Sequence, residues 1–531
     1  MKKTLLISAL SLLVACTSAT SQVWVADNGD GTYTNPIIHA DYSDPDVIRV
    51  GDDYYMVSSS FNCAPGIPVL HSKDLVNWQI INHVYNELPC DRYKEVIHGR
   101  GSWAPSLRYH NGLFYVYFCT PDEGLFMATT KDPAQKWELT HVLQVRQWED
   151  PCPLWDDDGK AWLIRSKLCG GPVYLHRMSD DGKKLLDNGK VIYWDDKENP
   201  ILEGVKFMKR NGYYYVFAPA GGVTNGWQTV LRSKNIEGPY ESRRVLDEGN
   251  GINGPHQGGL IETQTGEWWF IHFQDRNAYG RIAHLQPAKW VDDWVVIGDD
   301  PDGDGCGVPV LTHKKPNVGK TYNKIITPQT TDEFNNSDKL GLQWQWHGSP
   351  QSEWYSLSAS KGNMRLYPMA APSDGGNVYF VPNLLLQKYP APSFMATTKL
   401  NAAALEEGER AGLIMMARAH SYLAVERHND AFKLKLYDGK FNNCGLLPQE
   451  QASLDLSKST VYLRITMTAE GKYTYQYSED GKTFKNVSSQ VFDADRGVWI
   501  GGKIGIYCLN ANVMKGNGYA DFDYFRVEKA K

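Results

Sequence analysis

Five short stretches decide the fold: Gly51-Asp52-Asp53-Tyr54-Tyr55, Asn111-Gly112-Leu113-Phe114-Tyr115, Asp158-Gly159-Lys160-Ala161-Trp162, Asn211-Gly212-Tyr213-Tyr214-Tyr215 and Thr265-Gly266-Glu267-Trp268-Trp269. In each, a turn carrying Gly leads into an aromatic strand. They recur roughly 45–60 residues apart, the span of one propeller blade. After several of them a second strand ends in a polar turn and a Trp or Tyr, as in His71-Ser72-Lys73-Asp74 through Trp78, Thr129 to Trp137, and Arg232-Ser233-Lys234 through Tyr240. Five recurrences predict five blades, each a small antiparallel sheet around a central axis.

Working outward, the repeat ends near Trp290, and a Gly/Asp/Pro stretch from Gly298 to Pro309 follows, with a polar link through about Gln329. From Asp332-Glu333-Phe334 the pattern changes to alternating strands, such as Val461-Tyr462-Leu463-Arg464-Ile465 and Tyr473-Thr474-Tyr475-Gln476-Tyr477. These predict a β-sandwich of about 200 residues. No amphipathic helix longer than three turns is evident, so the expected class is all-β: a five-bladed β-propeller over 23–325, then a β-sandwich over 326–531.

Residues 1–22 are set apart as a leader. Lys2 and Lys3 precede an apolar run from Leu5 to Ala15, too short for the roughly 20 residues a membrane span needs. Leu13-Val14-Ala15-Cys16 is similar to a bacterial lipobox, which would make Cys16 a lipid anchor. Ordinary cleavage, for example after Ala19, is the alternative. Both imply export, and without an acidic run after Cys16 the periplasm is expected over surface display.

Composition narrows the function. The 531 residues allow about three domains or fewer. The net charge of −6 repels phosphate backbones and argues against a nucleic-acid partner. The 17 Trp and 30 Tyr suit all-β packing and stacking on sugar rings. Nine cysteines include no CxxC pair, which removes zinc-ribbon and thioredoxin-type motifs and leaves disulfide pairing open.

Three acids occupy strand–turn junctions in separate blades: Asp44 in Ser43-Asp44-Pro45-Asp46, Asp150 in Trp148-Glu149-Asp150-Pro151, and Glu203 in Leu202-Glu203-Gly204. Pro45 is expected to push Asp44 into an extended conformation. Gly204 would admit a close neighbour. Because the inner strands of a propeller line one axis, three such acids can converge.

Asn35-Pro36-Ile37-Ile38 with Ser43-Asp44-Pro45-Asp46 resembles the opening of glycoside hydrolase family 43. His71-Ser72-Lys73-Asp74-Leu75-Val76-Asn77-Trp78, Ser102-Trp103-Ala104-Pro105-Ser106 and His284-Leu285-Gln286-Pro287 are similar to later stretches of that family. The segment from Asp332 to about Val527, with Leu342-Gln343-Trp344-Gln345-Trp346, resembles the concanavalin A-like domain that follows the propeller in one branch. The resemblance implies an inverting, exo-acting hydrolase of plant cell-wall pentosides. Asp44 would be the general base, Glu203 the general acid, and Asp150 the group that tunes and orients the acid. Two carboxyls about 6.5–9.5 Å apart, one to activate water and one to protonate the leaving oxygen, are what inversion requires.

The resemblance further implies that Arg281 reaches the substrate and the carboxylates, and that His256, in Gly254-Pro255-His256-Gln257-Gly258, is a substrate-binding candidate near the axis, where a calcium ion or a water can lie. Phe61 and Trp103 are candidates to wall the sugar ring, with core packing as the alternative. No cofactor is required and no metal ligands are assigned. Asp300-Pro301-Asp302-Gly303-Asp304-Gly305 looks like a calcium loop, but the position needing a bidentate Glu is Leu311 and no helices flank it. A rigid turn is the preferred reading.

The family's Glu-Gly-Pro is here Glu203-Gly204-Val205-Lys206. Lys206 is expected either to alter a subsite or to be solvated. On that departure a non-reducing end α-L-arabinofuranosidase is placed first and a β-D-xylosidase second, with arabinose- or xylose-containing oligosaccharides as partners. The competing reading is a non-catalytic sugar-binding propeller, and a structural envelope lipoprotein is a third.

Overall fold

The computed structural model describes residues 22–371, 377–440, 448–512 and 514–530. Residues 1–21 of the expected leader, with Cys16, and also Cys444, lie outside the described residues.

Each quoted turn joins the first and second strands of a blade. At two of them, consecutive residues take the left-handed conformation: Asn111 at φ 48° with Gly112 at 79°, and Asn211 at 49° with Gly212 at 75°. Asn and Gly tolerate this geometry best, and it matches the twist of the paired strands. Four four-stranded sheets follow in chain order, with inner strands Asp46–Val50, Trp103–His110, Trp148–Trp155 and Lys206–Arg210. The fifth blade has inner strand His256–Glu262, then Trp268–Asp275 and Arg281–Val291. Its outer position is filled by Ile38–Asp41 from the start of the domain, in the register Ile38↔Ala283 and Asp41↔Ile282. The ring is therefore closed by its own N-terminal strand. Neighbouring blades share apolar layers, as where Val57 and Val69 of blade I meet Leu107 and Val116 of blade II, all fully buried.

The C-terminal part is a sandwich of two eight-stranded sheets. Its strand Thr460–Met467 alternates half-buried and buried residues along its whole length, as a strand with one core face must. Leu423, Val425, Ile504 and Ile506 of one sheet pack with Leu463, Ile465, Phe522 and Phe525 of the other.

The two parts are joined by backbone bonding. Ala64 and Trp346 exchange N–H···O bonds of 3.1 and 2.5 Å, and Gly502 N–H donates to Ala278 O at 2.8 Å. Asp41 Oδ1 accepts from Arg281 N–H at 2.9 Å while its Oδ2 accepts from Gly501 N–H at 3.0 Å. That one buried carboxylate ties the sandwich to the backbone of a candidate site residue. All seven cysteines among the described residues are free thiols.

Candidate active site

At the same end of all five blades, at or just before the inner strand, one residue takes a positive φ: Asp44 (55°), Ala104 (37°), Asp150 (54°), Gly204 (66°) and Gln257 (39°). The ladders shift register at three of these places, between Trp103 and Ser106, Glu149 and Cys152, and His256 and Gly258. Bulges re-aim side chains beside active sites, and here they turn groups from successive blades toward one point. Asp44 corrects the expectation of an extended residue before Pro45. It is left-handed, a conformation that costs about 1–3 kcal/mol and persists only where its surroundings hold it.

Those surroundings are specific. Asp44 Oδ2 accepts from Ser43 Oγ at 2.8 Å and Ser59 Oγ at 2.5 Å, and Oδ1 accepts from Arg281 Nη1 at 2.9 Å. Asp150 Oδ2 accepts from the Ser166 hydroxyl and, at 2.8 Å, from Gly204 N–H; its Oδ1 accepts from Gln257 Nε2 at 3.3 Å. Burial and the neighbouring Glu203 carboxyl, each of the two disfavouring the other's charge, still push the Asp150 carboxyl up to about 6, against the opposing pull of these donors and of Lys206. Gly204 explains its own identity: a Cβ there would lie 2.9 Å from Gln257 Cγ and from Pro219 Cγ.

Asp44, Asp150 and Glu203 line one cavity of about 110 Å³, together with Phe61, Trp103, Arg281, Gln257 and Glu149. This is well below the roughly 300–1,000 Å³ of sites for drug-sized ligands, and it suits one small ring. Phe61 and Trp103 form a tilted aromatic pair with centroids 6.4 Å apart. From the sandwich, Trp499 closes the rim. Its loop comes so close that a Cβ on Gly99 would stand 2.5 Å from Val498 Cγ1.

The family model described as "Glycosyl hydrolases family 43" matches residues 33–295, and "Beta xylosidase C-terminal Concanavalin A-like domain" matches 331–528. A protein of Xylanibacter ruminicola is 44% identical over 489 residues, 91% of this chain and 87% of its own.

The chain belongs to glycosyl hydrolases family 43.

It is thus a glycoside hydrolase with a concanavalin A-like C-terminal domain. A family 43 relative from Formosa agariphila, named beta-xylosidase, is 33% identical over 98% of this chain and 97% of its own. One from Bacteroides ovatus, named non-reducing end alpha-L-arabinofuranosidase, is 29% identical over 93% and 94%. Among solved structures, the Bacteroides ovatus xyloglucan-locus family 43 protein aligns with a TM-score of 0.81 at 27% identity, covering 94% of this chain and all of its own.

Two sequence expectations change with this family 43 site. Lys206 neither lines the cavity nor meets solvent: it is 3% exposed, and Nζ donates to Pro105 O at 3.0 Å. As the first residue of blade IV's inner strand it points toward the axis, where Arg108 also lies, donating to Asp46 Oδ2 at 2.8 Å. His256 is buried behind Glu203, with Nε2 3.3 Å from Glu203 Oε1, rather than on the cavity wall. Carboxylate oxygens of Asp300, Asp302 and Asp304 lie within 4.8 Å of one another, yet Asp300 and Asp304 accept backbone N–H groups of their own turn at 3.0 and 2.7 Å.

Gln257, Trp499, Ser59 and Ser166 were not singled out by sequence. Gln257 stands next to His256 in Gly254-Pro255-His256-Gln257-Gly258, but its value comes from Asp150, about a hundred residues away in sequence. Trp499, flanked by Gly497 and Gly501, is a loop aromatic whose target belongs to the other domain.

Proposed function

We propose that this family 43 hydrolase removes one pentose at a time from the non-reducing ends of plant cell-wall glycans, with inversion, and that its preferred terminal sugar is β-D-xylose. The observation that carries the reading is the sharing of one small cavity by Asp44 and Glu203, from different blades. Asp44 acts as the base. Arg281 and two serine hydroxyls hold its carboxylate toward the cavity, where it takes a proton from water as the oxygen attacks the anomeric carbon. Glu203 gives its proton to the glycosidic oxygen as the C–O bond breaks. Asp150 is a positioning residue: its negative charge disfavours a second one beside it and keeps the proton on the acid. Phe61 and Trp103 flank the ring, and His256 orients Glu203 from behind. The reaction needs no cofactor.

The xylosidase preference rests on two supports. The Formosa agariphila relative, matched almost end to end, carries that name, and Lys206, the reason for placing arabinofuranosidase first, is turned away from the cavity. The Bacteroides ovatus relative keeps α-L-arabinofuranosidase as the second reading. Exo action follows from the single-ring cavity and the Trp499 rim. Export to the periplasm, with Cys16 as the lipid site, is proposed on the leader sequence alone.

The test is turnover of aryl β-D-xyloside and aryl α-L-arabinofuranoside by the purified protein, with Glu203→Gln in parallel. The expected loss in kcat is about 10²–10⁴-fold, with sugar binding retained. Sugar binding without turnover in the unmutated protein would instead establish a sugar-binding propeller.

A further inference from the structure

Four carboxyl groups, not three, line the cavity: Asp44, Asp150, Glu203 and Glu149. The reaction proposed above leaves Glu149 without a task. It immediately precedes Asp150 on the inner strand of blade III, is 7% exposed, and pairs in register with Ser166, whose hydroxyl serves Asp150.

Four negative charges cannot coexist in so small a buried space; Glu203 already carries the proton the reaction uses, and the donors show which second carboxyl is left uncharged. Asp44 has a guanidinium and two hydroxyls. Asp150 has a hydroxyl, a backbone N–H and an amide, with the Lys206 ammonium on its far side. Glu203, the proton-bearing acid, has the His256 imidazole 3.3 Å away without a hydrogen bond between them. Glu149 has only backbone N–H groups of the following loop, Gly170 N–H at 3.3 Å from Oε1 and that of Cys169, and no cation. The titratable groups around it include Asp150 on its own strand, Glu203 from blade IV, Cys169 from that loop and Cys119 from blade II. Arg165 on the paired strand donates to Ser166 O at 3.3 Å and to His176 Nε2 at 3.2 Å, not to Glu149. Burial, then Asp150 and Glu203, push the Glu149 carboxyl up to about 10.

An uncharged carboxyl is both a donor and an acceptor, and a sugar hydroxyl is both as well. We propose that Glu149 is a neutral sugar-binding group, hydrogen-bonding one ring hydroxyl of the terminal pentose and helping to decide which pentose is accepted. This rests on the pentosidase reading. A site built around a substrate hydroxyl rejects an analogue that lacks it, because its own buried polar group is then left unpaired.

The test compares the unmutated enzyme, Glu149→Ala and Glu149→Gln on aryl β-D-xyloside and on its three mono-deoxy analogues. Glu149→Ala should lower kcat/KM on the parent about 10–100-fold and lose the discrimination against one deoxy position only. Glu149→Gln, which keeps a neutral donor and acceptor, should lose less and retain part of that discrimination. Its pH–rate limbs should coincide with those of the unmutated enzyme, since neither side chain is charged. Equal discrimination at all three positions in Glu149→Ala would overturn the contact, and a shifted limb in Glu149→Gln would overturn its neutrality. Equilibrium binding of D-xylose and its deoxy forms reads the same contact without turnover, so failure of the pentosidase reading and failure of the Glu149 assignment are distinguished.

Discussion

Asp150 joins chemistry and stability in one side chain. Burial and Glu203 raise its carboxyl to about 6 in the folded protein, against about 3.9 for a free Asp. The folded state therefore binds its proton more tightly than the unfolded chain. By linkage, the stability this confers is fully present below about pH 4 and is lost as pH rises through about 6. Asp150→Asn should flatten that dependence, which thermal denaturation at pH 5 and pH 7 would read as a smaller Tm difference than in the unmutated protein. The same substitution should move the alkaline limb of the pH–rate profile to lower pH, because the acid loses its like-charged neighbour; an unmoved limb would remove Asp150 from the tuning role. Asp44, Asp150 and Glu203 were legible in the sequence because a local Pro or Gly marks each one. Glu149 was equally visible in Trp148-Glu149-Asp150-Pro151, but its distinction from Asp150 depends on donors from distant segments, which spacing does not encode.

At the scale of elements, the repeated Gly-aromatic turns were readable because hairpin chemistry is local. The positive-φ residues at the opposite end of the inner strands were not, since only Gly204 has a residue type that announces that conformation. Gly204 also tests how strictly the device is built. Gly204→Ala would strain a backbone at φ 66° and set a methyl 2.9 Å from Gln257 Cγ and Pro219 Cγ, displacing both the N–H and the amide that Asp150 relies on. We expect a loss of about 1–3 kcal/mol in stability and a fall in kcat of at least about tenfold, measured by denaturant unfolding and by aryl xyloside turnover. Unchanged kcat would mean that Asp150 keeps its place without these partners.

Across the whole molecule, the sandwich is part of the pocket. Two of its segments reach the site region: Trp346, on the short strand Gln345–Trp346, pairs with Ala64 three residues beyond Phe61, and Trp499 on a loop forms the rim. Trp499→Ala should raise KM several-fold with a smaller change in kcat, as expected for a group that binds ground state and transition state alike. Asp41→Ala should cost more, because it leaves the Arg281 and Gly501 N–H groups unpaired in a buried place, at about 1–3 kcal/mol each. A lower Tm together with a reduced kcat/KM would show that docking and catalysis share that carboxylate. The two-domain order was legible from the change of strand pattern near Asp332, but the docking was not, since every bond cited for it ends on a backbone group of the other domain, as Asp41 does on Gly501 N–H, and such a target leaves no residue signature.

The strand Ile38–Asp41 adds a temporal constraint. Asp41 bonds to a residue 240 positions later, and at about 5–20 residues per second a ribosome takes roughly 12–48 s to deliver that partner. Throughout that interval the nascent ring has one sticky, unsatisfied edge, so whatever accompanies the emerging chain must keep the first-made strand waiting until the last-made sheet arrives to receive it.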